Sequence, residues 1–172
     1  MLLDNASLCP YKQTAVFPDS WKYGDGIYAN PNDDNAYIRL VEEGNKDPGA
    51  LHLYRNYDVY HTGGYDLRLS YLLTNAAAGN TYVLEMSMKG STQTGGDPLY
   101  MELYWGKGTW TDTGIGSYRL ENKDYADWTT VSYEFTAAVN DWMPLVIGVG
   151  GYNGVDCYID NVRLYLKSDR RL

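Results

Sequence analysis

The sequence has 172 residues and a formal net charge of −8, and it is 44% hydrophobic and 21% charged. A chain of this length forms one domain with a core of its own. Its acidic balance argues against a phosphate backbone as partner, so nucleic acid is not expected. No apolar run approaches the ~20 residues of a membrane-spanning helix, so no membrane span is expected.

Short alternating runs separated by Gly, Asn, Asp and Pro clusters predict β-strands. In chain order the predicted strands are Leu2–Leu8, Ala36–Val41, Ala50–Arg55, Asp66–Leu73, Thr81–Lys89, Leu99–Trp105, Trp128–Thr136, Pro144–Gly150 and Val155–Leu166. The run Tyr71–Ala78 alternatively contains one turn of helix that Gly79 ends. This spacing predicts an all-β, two-sheet antiparallel jelly-roll sandwich, as a single domain over residues 1–166. Residues 167–172 are expected to be a polar C-terminal tail or the start of a linker.

The strand Leu99–Trp105 carries a stripe of Tyr100, Glu102 and Tyr104 opposite an apolar set that includes Trp105. Two interpretations of the stripe stay open. It stacks and hydrogen-bonds a sugar, or it makes ordinary cross-strand contacts on an exposed sheet face. The same ambiguity attaches to the aromatic composition, which has 18 Tyr and 5 Trp but only 2 Phe.

In the last strand, the apolar residues before Asp160-Asn161 stand at odd positions and those after it stand at even positions. A parity change of this kind predicts a β-bulge that lets both apolar sets point inward. A bulge also redirects a side chain, so Asp160 is either a candidate cation ligand or a turn-type aspartate. The two cysteines, Cys9 and Cys157, are either two free buried thiols or one disulfide between the N-terminal strand and the last strand.

Five segments carry a family pattern: Leu2–Leu8 followed by Pro18–Trp21, Gly49–Asn56, Ala78–Gly90, Asp127–Thr136 and Asp156–Tyr165. In this order and spacing they resemble the carbohydrate-binding modules of families 4, 9 and 22, which are galactose-binding-like jelly rolls attached to xylanases and cellulases. The resemblance implies a secreted module of a larger protein, which binds a plant or microbial polysaccharide and targets a neighbouring catalytic domain. The start of the chain is too short and polar for a signal peptide, so an extracellular location implies an excised mature domain.

The resemblance implies two sites. The first is a structural Ca²⁺ near the N-terminus and the last strand, where Asp160 matches the family's aspartate. The family's glutamate falls on Cys9, so the remaining ligands are expected from Asp4 and from carbonyls around Lys46 and Asp47.

The second site is a glycan groove lined by tyrosine, tryptophan and hydrogen-bonding side chains. The expected carbohydrate-binding residues are Tyr54, Arg55, Tyr57, Tyr60, His61, Tyr100, Glu102, Tyr104, Trp110 and Tyr152. The strand before the last carries glycines where the family carries Tyr and Glu. Either Tyr152 compensates for that difference, or the glycines open a deeper groove.

No catalytic residue is predicted, because the chain lacks a nucleophile elbow, a P-loop, an HExxH motif and zinc-type spacing. Two alternatives to a sugar-binding module remain. One is a structural or adhesion module without glycan binding. The other is a jelly-roll enzyme that cleaves polysaccharides through paired carboxylates such as Glu85, Glu102 and Glu134.

Overall fold

A computed structural model of the protein describes residues 21–23, 34–45, 49–58, 66–105, 116–120 and 123–169. These residues form ten β-strands, followed by a 3₁₀ turn at Lys167–Asp169. The strands are β1 (Trp21–Tyr23), β2 (Ala36–Val41), β3 (Ala50–Arg55), β4 (Asp66–Ala76), β5 (Thr81–Ser91), β6 (Tyr100–Trp105), β7 (Gly116–Leu120), β8 (Tyr125–Thr136), β9 (Asp141–Gly150) and β10 (Val155–Leu166). No helix in this part of the chain has the length and hydropathy that a membrane span requires.

The strands form two five-stranded sheets with antiparallel pairing. The first sheet has the order β2-β3-β10-β5-β8, and the second has the order β1-β4-β9-β6-β7. The predicted all-β sandwich is therefore confirmed. Its core lies between the sheets and is built from alternate strand positions, because successive side chains of a strand point to opposite faces. Leu84 and Met86 of the first sheet and Leu145 and Ile147 of the second are at most 1% exposed.

Eight predicted strands correspond to observed ones. Ala36–Val41, Ala50–Arg55 and Val155–Leu166 have the predicted bounds, and the other five differ at one end. The ninth, Leu2–Leu8, lies outside the described residues. The helical alternative for Tyr71–Ala78 is wrong, because β4 continues as a strand to Ala76. Strands β1 and β7 were not predicted. They have three and five residues, which is too short for an alternating pattern to be recognised.

The bulge in β10 is confirmed. The pairing of β10 with β5 shifts register between Asp160 and Arg163, and Asn161 has a φ of 53°. Asparagine tolerates this left-handed conformation better than most residues. The extra residue allows Ile159 and Val162, which have opposite parity, both to be buried at 1% exposure or less.

Cys157 has a free thiol and is fully buried on the inner side of β10. Burial raises the pKa of this thiol, and the nearby carboxylate of Asp156 adds to the effect. The structure therefore favours the free-thiol alternative for Cys157. Cys9 lies outside the described residues.

Candidate functional site

A transverse row of residues crosses the second sheet through a glycine. Glu102 of β6 is paired with Gly148 of the central strand β9 and, on its other side, with Arg119 of β7. Gly148 is paired in turn with Arg68 of β4. Glu102 is partly exposed and belongs to the set of positions that alternates with the buried Leu103. Glycine adds no side chain to the middle of this row, and Gly148 is itself buried, so its surroundings cover the position.

The next row along the strands contains a second glycine, Gly150, whose space is filled by a ring. Gly150 is paired with Tyr100 on one side and with Asp66 on the other. A Cβ at Gly150 would overlap the outer end of the Tyr100 ring. Tyr100 is only 5% exposed, so its ring is packed over this glycine. Neither glycine therefore leaves an open space on this sheet, because Gly148 is buried and the ring of Tyr100 lies over Gly150.

The turn between β9 and β10 places a second tyrosine beside Tyr100. Tyr152 is 52% exposed, and its ring centroid lies 6.2 Å from that of Tyr100 at an interplanar angle of 52°. The carbonyl oxygen of Gly151, at the start of the turn, accepts a hydrogen bond from Nη2 of the fully buried Arg55. A buried ring and an exposed ring therefore lie side by side where β9 leads into the turn.

The outer face of the first sheet carries a different group, which we call the aromatic cluster: Tyr37, His52, Tyr54, Trp128 and Tyr158. The His52 and Tyr158 rings stack at 4.2 Å with an interplanar angle of 4°, and the Tyr37 and Tyr54 rings stack at 5.1 Å and 20°. Trp128 meets Tyr158 edge-on at 6.4 Å. In these stacked pairs the ring faces are turned toward each other, so the stacked faces are not open to a flat ligand.

His52 organises the polar atoms of the aromatic cluster. Its Nε2 lies 2.8 Å from Oδ1 of Asp156, and its Nδ1 lies 3.3 Å from the Tyr37 hydroxyl. Burial raises the pKa of Tyr37, although the guanidinium of Arg39 opposes the shift. A neutral Tyr37 can donate its hydroxyl proton to Nδ1 while Nε2–H donates to the carboxylate, which assigns the tautomer from the network. The cluster is therefore held together by its own hydrogen bonds.

The bulge residue Asp160 presents a buried carboxylate on the first sheet. It is 1% exposed, and its two oxygens accept backbone N–H bonds from Asn45 at 2.8 Å and from Asn161 at 2.6 Å. Within the described ranges, no three His, Cys, Asp or Glu side chains form a group that could hold a metal ion. A buried carboxylate beside the chain segment that leads to Lys46 and Asp47 is a hard oxygen donor and so fits a calcium ligand. Lys46, Asp47 and Asp4 lie outside the described residues.

The structure brings together four of the predicted carbohydrate-binding residues. Tyr100, Glu102 and Tyr104 are neighbours along β6, where Tyr104 is paired with Val146 and Ser117, and Tyr152 adjoins Tyr100. The partly exposed Tyr57 lies at the same end of the sandwich, where its backbone N–H donates to Oε1 of Gln93 at 2.9 Å. Tyr60, His61 and Trp110 lie outside the described residues.

Two predicted residues lie apart from this group. Tyr54 belongs to the aromatic cluster on the first sheet. Arg55 points to the inner side of the same strand, where its complete burial favours a structural role at the β9–β10 turn over direct contact with a ligand. Sequence reasoning also missed that His52 and Tyr158 belong together. Both residues alternate with buried residues of β3 and β10, and this pattern was the sequence signal that they lie on the outer face. That they lie opposite each other depends on the register between these strands.

No family model matches the sequence, and no curated protein is similar to it in sequence. Solved structures share its fold. A CBM4 module has a TM-score of 0.58 at 14% identity, covering 88% of this chain and 97% of that one. The CBM22-1 xylan-binding domain of Xyn10C from Paenibacillus barcinonensis has a TM-score of 0.56 at 10% identity, covering 95% and 94%. The CBM61 module TmCBM61, solved in complex with β-1,4-galactotriose, has a TM-score of 0.55 at 15% identity, covering 87% and 90%.

At these identities the likeness establishes the fold. The chain has the jelly-roll sandwich found in carbohydrate-binding modules, and the fold expected from the sequence resemblance is confirmed. A fold hosts many functions, so what the chain binds must be argued from its own residues.

Proposed function

We propose that this protein is a non-catalytic carbohydrate-binding module that holds a polysaccharide on the outer side of its second sheet. One observation carries the proposal. The partly exposed Glu102 lies two residues from Tyr100 on β6, and the exposed ring of Tyr152 lies beside that of Tyr100. The fold shared with glycan-binding modules supports the same assignment.

This arrangement suits the two surfaces of a sugar. A pyranose has an apolar C–H face that a planar aromatic ring can cover, and a belt of hydroxyl groups that carboxylate oxygens can bind. Glu102 supplies the acceptor, and Tyr152 supplies the accessible ring. The site is shallow and wet, so we expect weak affinity, with Kd values of ~1 μM to ~1 mM.

Affinity gel electrophoresis on xylan, β-glucan, mannan and pectin tests the proposal. The wild-type chain is expected to be retarded by at least one polymer. Glu102→Gln should weaken that binding about tenfold, because a hydrogen bond to a charged group contributes ~1.5–3 kcal/mol. Glu134→Gln is the matched control, since Glu134 lies on the first sheet and pairs with Lys167 at 2.7 Å. Migration of the wild-type chain unchanged in all four polymers, with the fold intact by circular dichroism, contradicts the proposal.

The absence of catalysis is part of the proposal. A reducing-sugar assay on the same four polymers is expected to show no turnover by the wild-type chain. Turnover that disappears in Glu102→Gln but persists in Glu134→Gln would identify a polysaccharide-cleaving enzyme instead. Attachment to a catalytic domain and secretion belong to the same proposal, because both accompany this kind of module in the resemblance described above.

A structural calcium ion is also proposed, with Asp160 as the ligand that the described residues supply. Asp4 and carbonyls around Lys46 and Asp47 would complete the set. Calcium bound only to the native state would add stability, so EDTA should lower the melting temperature and added Ca²⁺ should restore it. A melting temperature that is the same with EDTA and with Ca²⁺ removes the metal from the proposal.

The aromatic cluster favours a second candidate function, docking onto another protein. Tyr, Trp and Arg are enriched at protein interfaces. The cluster contains Trp128 and Tyr158, and Arg39 lies over the ring of its member Tyr37 at 3.9 Å. On this hypothesis Trp128→Ala would abolish association with a neighbouring domain while glycan screens stay silent. Retention on a polysaccharide that Trp128→Ala leaves unchanged would reject docking as the main function.

A further inference from the structure

We infer that Asn153, in the turn between β9 and β10, is a site of spontaneous deamidation and isomerisation. The backbone nitrogen of the next residue, Gly154, attacks Cγ of the Asn153 side chain. Asn153-Gly154 is the one Asn-Gly pair in the sequence. The reaction needs neither an enzyme nor a glycan, so it would proceed whatever ligand the chain binds.

The reaction uses water as its only co-reactant. The backbone N–H of Gly154 loses its proton, and the nitrogen forms a bond to Cγ of Asn153 while the side-chain nitrogen leaves as ammonia. Water then opens the cyclic succinimide at either of its carbonyl groups. One opening yields aspartate, and the other yields isoaspartate, in which the main chain runs through the side-chain carbon. Glycine obstructs the attack least, because it has no Cβ.

Both reacting groups are unengaged in the native turn. Within the described part of the chain, neither the side-chain amide of Asn153 nor the backbone N–H of Gly154 makes a hydrogen bond. Gly154 is buried, but Asn153 is partly exposed, so water reaches the side-chain amide. The turn lies after the last residue of β9 and before the first residue of β10. No strand pairing therefore has to break before the nitrogen attacks.

The contacts that hold this turn act on carbonyl oxygens. The guanidinium of Arg55 donates to the carbonyl oxygen of Gly151, and the backbone N–H of Gln93 donates to that of Asn153 at 3.0 Å. The second bond falls on the same peptide group whose nitrogen is the nucleophile. When that nitrogen loses its proton, the negative charge is shared with the oxygen, so the bond from Gln93 stabilises the reactive form.

The neighbouring loop between β5 and β6 leaves room for the side chain of Asn153. Its Nδ2 lies against Gly96, where a Cβ would come within 2.7 Å of it. Ring closure requires this side chain to turn from Gly96 toward its own backbone. Because the amide has no hydrogen bond to the described residues, that rotation gives up only weak dispersion contacts.

Other asparagines are restrained where Asn153 is not. Oδ1 of Asn140 accepts a hydrogen bond from the backbone N–H of Ala78 at 2.9 Å, and Oδ1 of Asn56 accepts one from the backbone N–H two residues further on at 2.8 Å. Neither of them precedes a glycine. Asn140 is more exposed than Asn153, so exposure alone would favour Asn140. The two sites therefore separate the effect of local geometry from that of exposure.

Either product alters the turn. Aspartate adds a negative charge to a chain whose formal net charge is already −8. Isoaspartate lengthens the main chain by one carbon and replaces the carbonyl group that Gln93 binds. The exposed Tyr152 immediately precedes the modified residue, so its surroundings change as well. The reaction is slow and irreversible, so the fraction of chains with an altered turn increases as the protein ages.

Peptide mapping of the folded wild-type chain, aged in mildly alkaline buffer, tests the inference. Trypsin releases Asp124–Arg163 as one peptide, which contains both Asn140 and Asn153. The mass gain of deamidation should appear about tenfold faster at Asn153, because Asn140 must first break its bond to Ala78. Asn153→Gln should abolish the signal, since glutamine would have to close a larger ring that forms more slowly. Asn140→Gln is the matched control and should leave modification of Asn153 unchanged.

A sample kept unfolded in guanidinium chloride completes the comparison. Modification of Asn153 in the unfolded chain but not in the folded chain would show that the native turn protects it and would overturn the inference. Equal rates at Asn140 and Asn153 in the folded chain would overturn it as well.

The effect on the turn has its own readout. Ion exchange separates the aged chains that have gained a negative charge, and the backbone N–H of Gln93 should exchange its hydrogen faster in that fraction than in unmodified chains of the same age. Equal exchange in the two fractions would refute the loosening of the turn.

Discussion

Replacing Gly150 by alanine is expected to destabilise the protein through the ring of Tyr100. Gly150 is the last residue of β9 and is paired with Tyr100 of β6. A Cβ at this position would overlap the outer end of that ring, which is only 5% exposed. The ring would have to leave a packed position, and Tyr152 lies beside it.

The magnitude follows from two opposing effects. Overpacking a well-packed site costs ~1–3 kcal/mol. Replacing glycine by alanine also restricts the unfolded chain, which stabilises the native state by ~0.4–1 kcal/mol where the backbone angles suit both residues. For Gly150→Ala we therefore expect a net loss of ~1–2 kcal/mol in the free energy of unfolding, since the ring of Tyr100 is only 5% exposed and has to leave its packed position.

A double-mutant cycle isolates the contact. In a Tyr100→Ala background the obstacle is gone, so Gly150→Ala should cost nothing there or stabilise by a few tenths of a kcal/mol. Urea unfolding gives the free energy of unfolding of the wild-type chain, the two single variants and the double variant. An unchanged m-value confirms that a shift of the midpoint reports a change in stability. If Gly150→Ala costs the same with and without the ring of Tyr100, the ring is not the obstacle and the reasoning is refuted.

Three further outcomes are expected. Asp160→Ala should lower the free energy of unfolding by ~2–4 kcal/mol because it removes the acceptor of two partly buried backbone amides at ~1–3 kcal/mol each, whereas Asp160→Asn should lose less. Urea midpoints that match the wild-type value would contradict this expectation. Cys157 should resist a thiol reagent in the native protein and react after unfolding, because its thiol is buried. Burial also raises the pKa of the thiol, so the unfolded thiol ionises first as the pH rises. The free energy of unfolding that Cys157 contributes should therefore be constant below pH ~8.5 and decline above it. Asp156→Asn should lower the free energy of unfolding by ~0.5–1 kcal/mol, since the bond of Asp156 to His52 at 2.8 Å is partly exposed to solvent. This loss should vanish in a His52→Ala background.

Local patterns in the sequence were enough to predict eight of the ten strands described and the bulge. The alternation of Leu84 and Met86 with polar neighbours is a property of a single strand, so it can be read without knowing the partner strand. The parity change at Asp160-Asn161 is equally local, and it marked the bulge correctly. Alternation also separates Tyr54 from Arg55, because adjacent strand residues face opposite sides. Tyr54 and Arg55, both of which were predicted to bind carbohydrate, therefore lie on opposite faces of β3.

The composition of the candidate site was decided by tertiary structure. Gly148 and Arg68 join Glu102 in one row only because β9 lies between β4 and β6 and pairs with them in a particular register, and Arg119 joins the row through the pairing of β7 with β6. Register between strands depends on how the apolar faces of both sheets fit together in the core, which no single segment of the chain encodes. The sequence by itself therefore determined that this chain is a two-sheet β-sandwich with tyrosine-rich strands. Only the tertiary structure, through the pairing of β6 with β9, decided that Tyr100 covers Gly150 beside the exposed Tyr152, because these contacts join residues that are distant in the chain.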